Sequence, residues 1–276
     1  MKMLRSRKAV WSALLALMLL LAACGGSPAP AEEAVAPEAG EATSQPLEPA
    51  EPEVIGGGQC ANEYYPVAEG ATWTYAGTGS TGDYTWTASM SGVSDNGFTL
   101  TNTFNVDGDT VVATQQWSCT NEGVAALQFG GGPEASVMAT GVDATFETTG
   151  SSGYSFPNTI HIGDTWQQSY NIQGVMNMAD GLSANTTGLV THIYTAQAEE
   201  TVTVPAGEFQ TIRILVETNL QLQVELMGVT LPFSIDSQTT SWLARNVGWV
   251  RSDSGLAIEG GEAMNSVVEM QSYHIP

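Results

Sequence analysis

Lysine is missing from this chain beyond its eighth residue, and arginine nearly so. Lys2, Arg5, Arg7 and Lys8 crowd the N-terminus, and only Arg213, Arg245 and Arg251 follow. Against those three arginines stand 29 acidic residues, which gives residues 24–276 a formal charge of −26. A surface so poor in cations cannot neutralise phosphates, which excludes nucleic acid as a partner and electrostatic docking on anionic surfaces. Charged residues make up 13% of the chain, against about 25% in ordinary soluble proteins. The acidity therefore comes from missing bases rather than surplus acids. Thr, Ser, Gly, Asn and Gln supply the polarity instead, a composition suited to a polar sheet face outside the cytoplasm.

Histidine and cysteine are scarce, with three of each. The histidines, His161, His192 and His274, lie far apart, and no H-E-x-x-H, nucleophile elbow, P-loop or G-x-G-x-x-G before a helix occurs. No C-x-x-C occurs either, which removes support for dithiol redox chemistry and for a zinc ribbon. The expectation is a protein that is not an enzyme, with no cofactor and no metal. His161 near Asp164 reads as a turn rather than a hydrolytic dyad. Asp107 and Asp109 in "VDGDT" read as hairpin chemistry rather than calcium ligands. Glu199 and Glu200 are adjacent on a strand, point to opposite faces, and read as solvated charges.

The N-terminus carries what the rest lacks. "MKMLRSRK" is a basic head, and the apolar run from Ala9 to Ala23 is too short to span a bilayer. Together they form an export signal. Leu21-Ala22-Ala23-Cys24 looks like the lipobox of bacterial lipoproteins, in which the cysteine is acylated and becomes the new N-terminus. Residues 1–23 are thus the signal peptide and Cys24 the lipidation site. Residues 25–58 hold six Pro, seven Glu, seven Ala and six Gly, with no aromatic or basic residue. Such a segment cannot bury enough apolar surface to offset its ordering entropy, so residues 24–58 are read as a lipidated, disordered tether. Fully extended, it reaches roughly 100 Å at about 3.1 Å per residue. The remaining thiols, Cys60 and Cys119, suggest one disulfide in an exported chain.

Residues 59–276 read as one β-rich domain. In "DYTWTASMSGV" Tyr84, Trp86, Ala88 and Met90 share one face, and "FTLTNTFNV" puts Phe98, Leu100, Phe104 and Val106 opposite a threonine row. Asn96-Gly97 and Asp107-Gly108 are the expected hairpin turns of this meander. "GDTWQQSYNI", "GLVTHIYTAQAEETVTV", "TTSWLAR", "GWVRSD" and "NSVVEMQSYHI" read as further strands, with turns at "PAGEF" and at Asn246-Val247-Gly248. The longest alternation is Thr211–Met227: Ile212, Ile214, Val216, Leu220, Leu222, Val224 and Leu226 fall on one side. A period of two over that length is a strand and not an amphipathic helix. "EGATWTY" and "IGDTWQQSY" share Gly, Thr, Trp and Tyr, as a duplicated half-sheet or as two uses of one turn-into-strand solution.

"YYPVAEGATWTY", "IGDTW", "VTVPAGEFQTIRI" and "SWLARNVGWVRSD" occur in this order over nearly the whole domain. They resemble the TapB-like family of exported bacterial proteins, through Gly70-Trp73-Tyr75, Val204-Pro205-Ala206-Gly207-Phe209 and Trp242-Ala244-Val247-Gly248-Val250. The resemblance implies a curved antiparallel sheet, like the half-open barrels of lipoprotein carriers, and brings no catalytic residues. The expectation is an all-β, curved antiparallel sheet or half-open barrel built from meanders, following a disordered tether. Its expected role is a non-enzymatic, membrane-anchored envelope lipoprotein, at the bacterial cell surface or in the periplasm, that binds or scaffolds. Its partner is then the membrane through the N-terminal lipid, with an envelope protein or hydrophobic ligand still to be identified. The rivals are a carrier of an apolar, lipid-like ligand on the concave face and an envelope hydrolase.

Overall fold

The computed structural model describes residues 56–79, 82–106, 109–130, 144–177, 183–256 and 264–276. The signal peptide, Cys24, most of the tether and the Asp107-Gly108 turn lie outside the described residues. The described part is all-β, and its one helical element is a single 3-10 turn, Gly58–Cys60. Among the described residues no helix is long and apolar enough to cross a membrane.

The strands are β1 (Thr72–Gly79), β2 (Tyr84–Ser94), β3 (Gly97–Val106), β4 (Asp109–Cys119), β5 (Gly123–Ala126), β6 (Ala144–Gly153) and β7 (Phe156–Pro157). Then come β8 (Thr165–Asn177), β9 (Ser183–Val204), β10 (Gly207–Leu226), β11 (Val229–Ala244), β12 (Gly248–Leu256) and β13 (Met264–His274). They form one antiparallel sheet of 13 strands in the order β6-β8-β9-β10-β11-β12-β13-β1-β2-β3-β4-β5-β7. The sheet is not closed into a barrel, yet its two ends are consecutive in sequence: β6 and β7 are separated only by Tyr154 and Ser155. A sheet whose outermost strands are joined in this way must curl round on itself.

Two features bend it. Register breaks occur between Thr74 and Tyr75, Ser91 and Ser94, Thr148 and Gly150, Arg213 and Ile214, and Trp242 and Leu243; such bulges increase twist and kink a strand. A buried polar triangle then ties the two ends together. The Ala126 N–H donates to Ser155 Oγ (3.1 Å), the Ser155 hydroxyl to Gln168 Oε1 (2.5 Å), and Gln168 Nε2 to the Ala126 carbonyl (2.7 Å).

Alternation decides which face is inside. In β10, Ile212, Ile214, Val216, Leu220, Leu222 and Val224 are buried, so the long run is a strand whose branched face packs the core. The Pro205-Ala206 turn stands within the expected "PAGEF", whereas the turn expected at Asn246-Val247-Gly248 spans Arg245–Val247, with Asn246 at φ 56° and Gly248, which opens β12, at φ 98°. The β2–β3 turn is shifted by one residue. Asp95 and Asn96 form it, and Gly97 opens β3 opposite Ser94. Gly97 is needed there for proximity, because a Cβ would come within 2.5 Å of the Trp117 carbonyl oxygen. Gly70 and Gly163, which precede the two Thr-Trp pairs, both have positive φ (82° and 94°). The two phrases thus use the same turn into a strand.

The segment Gly56–Ala71 closes one end of the curl. Cys60 is disulfide-bonded to Cys119 at the end of β4, with Cα atoms 4.9 Å apart. The Asn62 side chain donates to the Phe156 and Pro157 carbonyls of β7 (3.3 and 2.8 Å). Glu63 pairs with Arg245, and its carbonyl accepts the Asn246 N–H at 2.9 Å. The chain therefore enters the domain fastened to both the β4–β7 side and the β11–β12 turn.

Candidate functional site: an aromatic cavity on the concave face

The inner face of the curled sheet is packed in three clusters of buried residues. Between them lies a cavity of about 150 Å³, with residues from β1–β5, β7–β12, the entry segment and the stretch after β5 (128–130) in its wall. Three groups of rings surround it. Tyr75 of β1, Trp86 of β2 and Trp249 of β12 meet at centroid distances of 4.6–5.5 Å. Tyr65 of the entry segment lies nearly parallel to Trp117 of β4 (5.1 Å, 15°) and to Phe156 of β7 (4.8 Å, 15°). On the third side His192 of β9 packs against Tyr170 of β8, Tyr194 and Phe129 at 5.9–6.2 Å. Ile214, Val216 and Leu243 supply aliphatic surface between them.

No Asp, Glu, Lys or Arg contributes to this wall among the described residues. Burial pushes the Tyr65 phenol far above its usual range, and burial followed by the Tyr65 charge does the same to Tyr75. Both phenols therefore stay neutral, and Tyr75 donates to the Trp249 carbonyl at 2.9 Å. An uncharged, low-dielectric space of this kind penalises an ionised ligand group and favours an uncharged one.

Polar groups are nonetheless built into the wall. Asn102 and Gln115 are buried on the inward register of β3 and β4. Gln115 Nε2 donates to the Gln128 carbonyl at 2.9 Å, and His192 Nδ1 lies 2.8 Å from the Thr218 hydroxyl. The buried Trp117 Nε1 has no hydrogen-bond partner among the described residues. The alternation reading overlooked Asn102, Gln115 and Gln168. Their signal is parity: each is a polar residue at a position whose neighbours two residues away are apolar or aromatic.

The other candidates scatter. His161 and Asp164 form an exposed turn, with Nδ1 3.4 Å from Oδ2 and the His161 N–H donating to Asp164 at 2.8 Å. His192 stands in the cavity wall, so the two histidines do not meet. Glu200 is less free than solvated charges would be: it accepts the Trp242 N–H at 2.5 Å and lies 3.5 Å from Arg213. Arg251 lies over the Trp242 ring at 5.4 Å and is itself held by Asp253 and Glu269. Trp242 thus belongs to a charged row on the outer face, whereas Trp73, Trp86, Trp117 and Trp249 belong to the cavity wall.

Residues 80–255, more than half of the chain, match the model of the DUF3108-like family. The chain belongs to the DUF3108-like family. No curated protein matches the chain. Among solved structures it is similar to a protein described as a lipoprotein from Parabacteroides distasonis, at 15% identity and a TM-score of 0.45, covering 78% of this chain and 99% of that one. An exported protein with a YmcC-like fold from Bacteroides fragilis gives 14% identity and 0.45, with 78% and 100% covered. The hypothetical lipoprotein YmcC from Escherichia coli gives 8% and 0.29, with 75% and 85% covered.

Proposed function

We propose that this protein is a lipid-anchored lipoprotein of the bacterial cell envelope, held to a membrane through Cys24. Its β-domain takes up an uncharged apolar ligand on the concave face and catalyses no reaction. Within its family we read it as nearest to the TapB-like exported proteins. The observation that carries the binding role is the aromatic cavity in an otherwise packed inner face. Its size limits the occupant, since a cavity of about 150 Å³ takes a benzene-sized group. A ring or the end of a chain fits such a space. The scaffold reading keeps one observation in its favour: Ile212, Leu220, Leu222 and Val224 are buried outside the cavity.

Toluene separates the two. A ligand bound only by the folded state raises the melting temperature. Toluene should stabilise the wild-type protein and leave Ile214→Trp, whose new ring fills the cavity, unaffected. A scaffold with a closed core would show no toluene effect in either. The anchor is tested by metabolic labelling with a clickable fatty acid, which should mark the wild type and not Cys24→Ala. Equal label on both would sink the lipidation.

A further inference from the structure

Resting on the reading that the domain is tethered to a membrane, we infer that the tip of the β10–β11 hairpin dips into the bilayer surface, with Met227, Val229, Leu231 and Phe233 as the inserted side chains. Exposure climbs toward the tip: Phe233 is 45% exposed, Leu231 49% and Val229 57%, and Met227 in the turn reaches 85%. Phe233, Leu231 and Val229 stand opposite Leu222, Val224 and Leu226, and so continue the apolar inner face. They are uncovered because, among the described residues, β12 pairs with β11 no further than Ser237. Thr230, Pro232 and Ser234, which alternate with them, are exposed as well, so this part of β11 is free on both faces. The turn departs from ordinary hairpin chemistry. Met227 and Gly228 have φ values of 53° and 79°, the two positive values of a type I′ turn, for which Asn-Gly is the usual pair. A bulky side chain is strained in that conformation. The other non-glycine residue at positive φ among the described residues is Asn246, a type that tolerates it. Strain combined with exposure at Met227 points to a contact outside the chain.

Charge, area and reach make the bilayer the occupant. Residues 226–235 hold no charged side chain, in a chain whose residues 24–276 carry −26. Contact there is apolar and escapes the repulsion that an acidic surface meets at an anionic membrane. Four partly exposed side chains on a finger offer far less than the roughly 800 Å² per partner of a stable protein interface. Insertion to interface depth needs no complementary shape. The entry segment is fastened near the far end of β11, where the Asn246 N–H donates to the Glu63 carbonyl. The 16 residues of β11 span about 50 Å at about 3.4 Å each. The tether reaches roughly 100 Å when extended, so Cys24 and the tip can meet one membrane. An anchored tip has a high effective concentration at that surface, and weak insertion suffices.

The test uses residues 24–276, in which the Cys60–Cys119 bond leaves Cys24 as the free thiol. Cys24 is coupled to a maleimide phospholipid in phosphatidylcholine nanodiscs, so the result does not depend on natural acylation. The methionine methyl groups are isotope-labelled for NMR, and the nanodisc carries a phospholipid spin-labelled near the glycerol end of one acyl chain. The Met227 methyl signal should be lost to paramagnetic broadening, while the buried Met90 and Met270 keep theirs. Replacing both Leu231→Ser and Phe233→Ser should restore the Met227 signal, with Met90 and Met270 at their wild-type positions as the sign that the fold is kept. Raised salt should leave the wild-type loss unchanged, because the contact is not Coulombic. A Met227 signal retained in the wild type, an equal loss in the double variant, or release by salt overturns the proposal. So does sedimentation of the uncoupled chain as a dimer that the double variant abolishes, since the occupant is then a second copy. The toluene response, measured on the same samples, decides the carrier reading separately, and the fatty-acid label decides the anchor.

Discussion

Three tyrosines report on the domain from the same small region. Burial, then the Glu199 carboxylate, pushes Tyr64 up from 10 to about 12, and burial raises Tyr65 and Tyr75 further. The sign follows from linkage. Above pH 10 the unfolded chain loses these phenolic protons while the folded one keeps them, so the folded state binds more protons and stability falls as pH rises. The contribution is fully present below pH 10 and disappears through pH 12 and above. Chemical denaturation at successive pH values should show stability declining from pH 10 upward, and Tyr75→Phe should flatten that decline. A stability that stays constant from pH 10 to 12 would contradict the burial of these phenols. Alkaline absorbance titration should show the same residues ionising late.

Among the elements, β10 is the most decisive. Leu222 is 2% exposed and lies on the branched face, whereas the Gln221 side chain faces solvent and donates to Asn219 Oδ1 at 2.8 Å. Leu222→Ala should cost about 2–4 kcal/mol and Gln221→Ala well under 1 kcal/mol in urea melts. Equal costs would mean that the strand does not present its faces as described. β10 was legible because seven apolar residues keep a period of two from Ile212 to Leu226, with Thr218 the one polar residue in phase. β6 was not legible, since "ATFETTGSSG" is polar on both parities, as an outer strand with one ladder partner tolerates. The four-residue β5 is too short to show a period, although all four residues are buried. The sequence places the β2–β3 turn one residue late, at Asn96-Gly97 instead of Asp95-Asn96, because Asn-Gly is a favoured two-residue hairpin turn. Gly97 serves instead to let β3 pass close to the Trp117 carbonyl. The cavity was the least legible part, because it lies at the junction of three ring clusters from strands distant in sequence. Periodicity assigns each ring to a face but cannot say where packing leaves a space.

For the molecule as a whole, closure of the curl depends on few contacts. Ser155 stands between the two ends of the sheet, 6% exposed. Ser155→Ala leaves the Ala126 N–H and Gln168 Oε1 without their partner, and should cost about 1–3 kcal/mol. Hydrogen exchange should then accelerate at β5 and β8 before β12, and uniform acceleration would show that this triangle is not what holds the ends. The Cys60–Cys119 bond closes a loop of 59 residues, worth about 4 kcal/mol on the chain-entropy account. Its reduction should lower the melting temperature and free the entry segment, read as faster exchange at Tyr64 and Tyr65.

The claim that the concave face holds an apolar ligand is met most directly by native mass spectrometry of the protein purified from its own membranes. Wild type and Ile214→Trp should be compared under identical ionisation. The account predicts a non-covalent adduct of an uncharged molecule on the wild type that is lost from Ile214→Trp. A wild type that carries no adduct, or an adduct retained equally by Ile214→Trp, would contradict it.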